Sequence, residues 1–124
     1  MKTTYHISTI VFSRPTSENL ILRVKNQDAE IDYFVGKNKH IGFYYRSTAW
    51  KDVCIYQTEG ISTEHLKYWL LDFERNGSTI TALNFHNLFS MFPNESERNE
   101  VEDIIFEFMR AHPDLFALGC SDNG

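Results

Sequence analysis

Three consecutive segments, LILRVK (Leu20–Lys25), AEIDYFV (Ala29–Val35) and HIGFYYR (residues 40–46), decide the fold through the period of their apolar side chains. Leu20, Leu22 and Val24 alternate with Ile21, Arg23 and Lys25. Ile31, Tyr33 and Val35 alternate with Glu30, Asp32 and Phe34, and Ile41, Phe43 and Tyr45 with Gly42, Tyr44 and Arg46. A period of two is that of a strand whose alternate side chains point to opposite faces of a sheet. Asn26-Gln27-Asp28 and Gly36-Lys37-Asn38-Lys39 supply the turn chemistry between them. Links this short exclude parallel crossovers, which need about a dozen residues, so the strands form an antiparallel meander.

Working outward, YHISTIVF (residues 5–12) is β-branched and aromatic and stops before Pro15, which reads as the first strand. VCIYQ (Val53–Gln57) reads as the fifth, with either Val53 and Ile55 or Cys54 and Tyr56 inward. The pattern changes after Gly60. Leu66, Trp69, Leu70 and Phe73 stand at helical spacing, Ser62 is placed to cap that helix with Ile61 stapled on Leu66, and Asn76-Gly77 ends it. STITALNF (residues 78–85) reads as a sixth strand, and HNLFSMFPN leads from it into the last helix, with Phe89, Met91 and Phe92 assigned to the core.

That last helix, NESERNEVEDIIFEFMRAH (residues 94–112), carries Val101, Ile104, Ile105, Phe108 and Met109 on one stripe, which must be buried. Asn94 is expected to cap it, with Glu97 reciprocating, and Pro113 forbids its continuation. Glu95, Glu97, Glu100, Glu102, Asp103 and Glu107 fall mostly off the stripe. Phe106 does too, lying about 140° round the helix from Val101 and beside Glu102, Asp103 and Arg110. Its ring is either covered by Leu115 or Phe116 or serves as an interface anchor. The expected fold is α+β in a single domain spanning residues 1–124: a mostly antiparallel five- to six-stranded sheet with two helices on one face, in the order βββββ-α-β-α. The other face is expected to show Arg23, Lys25, Tyr44 and Arg46 to solvent.

At 124 residues the chain can bury a real core without staples; 42% apolar and 23% charged residues are ordinary, whereas 15% aromatic is high. No apolar run reaches the roughly 20 residues of a membrane span, and MKTTYHISTIVF lacks the features of a signal peptide, so a cytoplasmic location is expected. Cys54 and Cys120 are accordingly read as reduced thiols without an assigned role. The net charge of −5 is unevenly divided. Residues 1–60 hold eight Lys/Arg against six Asp/Glu, and residues 61–124 hold four against eleven. Such a field repels phosphate backbones and draws in basic partners.

Catalytic patterns are sparse. His6, His40, His65, His86 and His112 form no HExxH pair, and there is neither a glycine-rich phosphate loop nor a GxSxG elbow, so no metal and no cofactor is expected. His6, His40 and Lys39 on neighbouring strands could assemble an acid–base set of the ribonuclease kind, but the acidic second half opposes a polyanionic substrate. Aromatic strands with Arg23, Lys25 and Arg46 share only composition with single-strand nucleic-acid platforms. The expectation is therefore a non-enzymatic acidic protein that neutralises a basic protein partner, in the manner of an immunity protein blocking a nuclease toxin or of a phage-type inhibitor. Its contacts would be Glu95, Glu97, Glu100, Glu102, Asp103, Phe106 and Glu107, with the sheet face of Arg23, Tyr44 and Arg46 as the alternative. A small enzyme or ligand-binding domain with a pocket between sheet and helices, and a structural subunit or homodimer, are the other readings.

Overall fold

The computed structural model describes residues 5–8, 15–36, 40–47, 49, 52–57 and 61–118, with the backbone alone for 5–8 and 56–57. Strands β1 (Tyr5–Ser8), β2 (Leu20–Lys25), β3 (Ala29–Val35), β4 (Ile41–Ser47), β5 (Val53–Gln57) and β6 (Thr79–Leu83) form one sheet in the order β1-β5-β4-β3-β2-β6. Every pairing in it is antiparallel. Helices α1 (Thr63–Arg75), α2 (Phe85–Ser90) and α3 (Glu95–Ala111) complete an α+β domain. Between β5 and β6 the chain runs through α1 to reach the opposite side of the meander, where β6 pairs with β2.

The register explains which face is the core. Leu22, Tyr33, Phe43 and Ile55 lie in one row across four strands, and Val24, Ile31, Tyr45 and Val53 in the next. Directly opposed side chains share a face. This puts Val53 and Ile55 on the helix-bearing face, where both are only half-buried, while Cys54, 3% exposed, is buried on the far side with Tyr44 and Phe34. One expected alternation fails: Leu20 pairs with Phe34 but Leu22 with Tyr33, so Ile21 is an extra residue in a β-bulge. Ile21 and Leu22 are both fully buried in the main core, and Leu20 stands opposite Phe34 instead of continuing the Leu22–Val24 face.

Helix α1 lies on the Tyr33 row. Its Trp69 ring stands 4.7 Å from Tyr33 and its Phe73 ring 5.6 Å, both edge-on, and Phe43 approaches Tyr33 from the side at 4.9 Å. At its start Ser62 Oγ accepts from the His65 N–H, and His65 Nδ1 accepts from the Ser62 N–H, each at 3.2 Å. This is a capping box with histidine in the place of the usual glutamate. Ile61 and Leu66 are both buried, as a staple requires. At its end Gly77, with φ +69, lets the Ser78 N–H reach Phe73 O and the Gly77 N–H reach Glu74 O, a Schellman closure.

Two expectations about the second half need correction. HNLFSMFPN is not merely a connection, because Phe85–Ser90 forms α2, a third helix. Asn84 Oδ1 caps it by accepting from the Asn87 N–H at 2.9 Å, and the buried Asn87 donates to Leu20 O at 2.7 Å, tying the helix to the β2 bulge. Met91 and Phe92 are buried in the core, as expected, and Phe89 packs at its margin. Asn94 occupies the N-cap of α3 without accepting a cap bond; its amide instead donates to Glu97 Oε1 at 3.1 Å. Val101, Ile104 and Ile105 are buried and Phe108 and Met109 pack against them. Burial contributes about 1.5–3 kcal/mol for each fully enclosed side chain of this size. Beyond α3 a 3-10 turn (Pro113–Leu115) buries Leu115, and the Ala117 N–H donates to Ile80 O at 2.9 Å, laying the chain along β6.

Candidate functional site

The outer face of α3 is built by the same periodicity that buries its inner stripe. Glu95, Glu100, Glu102, Asp103 and Glu107 are exposed and Glu97 is half-buried. Among the described residues none of these six carboxylates forms an ion pair. Arg98, on the same helix, is turned back on the preceding loop, where its Nη1 donates to Phe92 O and Pro93 O at 2.8 Å each. With a rise of 1.5 Å per residue, Glu95 to Glu107 spans about 18 Å, roughly two screening lengths at physiological salt. Neighbouring charges along that span therefore add into one field.

Phe106 is 42% exposed at the border of this face. The tail does not cover it as the first of the two expectations had it: Leu115 is sunk in the core and Phe116 is bridged to Ile80. The ring neighbour of Phe106 is Phe85 at the start of α2, 6.2 Å away and tilted by 33°, and Phe85 in turn lies 5.9 Å from Phe89. An aromatic row thus runs from α3 on to α2. Sequence reasoning missed Phe85, because α2 itself is too short to announce a helical period.

The far face of the sheet carries charge of a different kind. Asp32 is 1% exposed and accepts from both arginines of that face. Arg23 Nε and Nη2 donate to it at 2.6 and 3.1 Å, and Arg46 Nη2 and Nη1 at 2.9 and 3.1 Å. Arg46 Nη2 also donates to Glu30 at 2.8 Å. Burial alone would push the Asp32 pKa up, but the hydrogen bonds and charges of Arg23 and Arg46 outweigh it and hold the carboxyl below its usual value. Two guanidinium groups thus face two carboxylates, and their charges cancel within the network. Tyr44, expected in solvent, is 1% exposed: it packs with Phe34 and Cys54, and its hydroxyl donates to Asp52 at 2.7 Å. Of the alternative site residues only Arg23 and Arg46 reach the surface, and both are already engaged by carboxylates.

Lys39, the side chain of His6 and Cys120 lie outside the described residues, and so do residues 9–14 of the first expected strand. Cys54 is buried. No group of three His, Cys, Asp or Glu gathers in a metal-binding arrangement among the described residues, and none of their helices is long and apolar enough to cross a membrane. The space between sheet and helices is filled by Leu66, Leu70, Leu88, Val101 and Ile105. No protein-family model, curated protein or solved structure matches the chain.

Proposed function

We propose that this protein is a non-enzymatic binding protein whose α3 face docks on, and neutralises, a basic protein partner such as a nuclease toxin. The observation that carries this reading is the contrast between its two charged surfaces. On the sheet, Glu30 and Asp32 are consumed by Arg23 and Arg46. On α3, six carboxylates stand without an ion pair among the described residues, beside an exposed aromatic ring. Even with Arg110 on the same side of the helix, this excess of negative charge costs self-repulsion, which a partner of opposite sign reduces while it gains from steered encounter. Phe106, with Phe85 behind it, supplies the apolar anchor that such rims surround in protein interfaces.

Paired capture from a lysate of the source cell tests the proposal, with the wild-type chain and a Glu100→Lys, Asp103→Lys variant as baits. A basic protein retained by the first and lost by the second supports it. Identical profiles from the two baits contradict it.

A further inference from the structure

Helix α1 buries Leu66, Leu70 and Phe73 and turns its opposite side to solvent. That outer side is not wholly polar. Tyr68 is 60% exposed and Leu71 42%, and with Phe106 they are the exposed large apolar side chains among the described residues. At 100° per residue, Glu64, Tyr68, Leu71 and Arg75 fall within about 60° of one another, with the i, i+4, i+7, i+11 spacing of a seam along which one helix packs on another. Lys67 and Glu74 flank the seam on one edge, and His65 and Asp72 on the other.

The charges here differ from those of α3. Lys67 Nζ lies 3.9 Å from Glu64, and Arg75 Nη1 donates to Asp72 at 3.2 Å. Exposed i, i+3 pairs of this kind contribute little to their own helix. A surface of both signs draws neither a basic nor an acidic protein by its field, so the order of its charges decides what fits. That order is self-complementary. A two-fold axis level with the Trp69–Leu70 peptide lays a second α1 antiparallel on the first, setting Tyr68 against the partner's Leu71 and Glu64 against the partner's Arg75. In such a pair each edge faces the same edge of the other helix. Lys67 then meets the partner's Glu74, and His65 the partner's Asp72, each offset by about 3 Å along the axis. His65 Nδ1 accepts from the Ser62 N–H, which leaves Nε2–H as the donor for that carboxylate. Symmetry makes every one of these contacts twice. A parallel pair would instead set each charge against itself.

We propose that α1 is a homodimer contact, in which two copies of this chain associate antiparallel through the seam of Glu64, Tyr68, Leu71 and Arg75. One helix on one helix is at the small end of protein interfaces, so the association is reversible, with half-dimerisation between about 10 µM and 1 mM. The seam is separate from the α3 face, and the proposal does not rest on the function proposed above.

Sedimentation equilibrium of the full chain, over a concentration series reaching about 1 mM, is the test. The expected result is a monomer–dimer equilibrium that Leu71→Asp abolishes. Glu64→Arg and Arg75→Glu each bring like charges together at two places and weaken dimerisation about tenfold. An equimolar mixture of those two variants restores it to within about threefold of wild type, because every seam charge again meets its opposite. Association in the mixture also shows that both variants are folded. A monomer at every concentration would overturn the proposal, as would a mixture that associates no better than its components. A dimer that survives Leu71→Asp and is broken by Phe106→Ala would overturn it too, by placing the second copy on the α3 face.

Discussion

Arg46 bonds to Asp32, although the register sets it opposite Glu30. Its side chain reaches diagonally across the β3–β4 ladder, with its guanidinium carbon 5.1 Å from the Tyr44 ring centroid, and meets the carboxylate that Arg23 holds from directly opposite on β2. One nearly inaccessible anion thus pins three neighbouring strands. Removing one member of a buried ion network leaves the others uncompensated, at a cost of about 3–5 kcal/mol when fully buried.

Asp32→Asn tests that network. Arg23 and Arg46 keep 36% and 25% side-chain exposure and can rehydrate in part, so the expected loss is smaller, about 2–3 kcal/mol in a denaturant titration at pH 7. The pH dependence has a definite sign. The folded pKa of Asp32 lies below its unfolded value of about 3.9, so its contribution is full above about pH 4 and is lost as pH falls through the folded pKa. The gap between wild type and variant should therefore narrow below pH 4. A gap that stays constant to pH 2.5 would mean that Asp32 is not the titrating group.

Gly42 is expected to be intolerant of a side chain. A methyl group there would stand 2.7 Å from Cε1 and Cε2 of Phe34, whose ring lies across it from β3 and is buried. Gly42→Ala should cost about 1–3 kcal/mol, the scale of overpacking. Adding Phe34→Leu, which frees the space, should make the pair less destabilised than the sum of the two single changes. Strict additivity would show that ring and glycine are not coupled.

Much of this fold was legible in the sequence because its strands obey a period of two and its long helices a period of 3.6. What escaped was set by single residues. The Ile21 bulge inverts the face of Leu20 without changing the composition of β2. The brevity of α2 hid Phe85, and thereby the aromatic neighbour of Phe106. Alternation put Arg23, Asp32 and Arg46 on one face but could not tell that they would bind one another, which depends on register. The acidic face of α3 was readable for the opposite reason: it follows from one helix alone, whereas the neutralised face needs three strands.

Ile105→Ala and Glu102→Gln separate the two sides of α3. Ile105 is fully buried, so its truncation should lower stability by about 2–5 kcal/mol through the cavity it leaves. Glu102 is exposed and has no ion pair among the described residues, and its change should matter by less than about 0.5 kcal/mol. Denaturant midpoints at one pH decide; equal and small effects would mean that the stripe is not held in the core.

Binding kinetics against the basic partner, measured by surface plasmon resonance at two salt concentrations, test the proposed function most directly. Rim charges act on encounter and a central anchor acts on release. Glu100→Lys with Asp103→Lys should slow association and flatten its salt dependence, while Phe106→Ala should cost about 2 kcal/mol or more, chiefly as faster dissociation. Association unchanged by the charge reversal, together with binding abolished by Arg46→Ala on the sheet, would contradict the account and make the sheet the working surface.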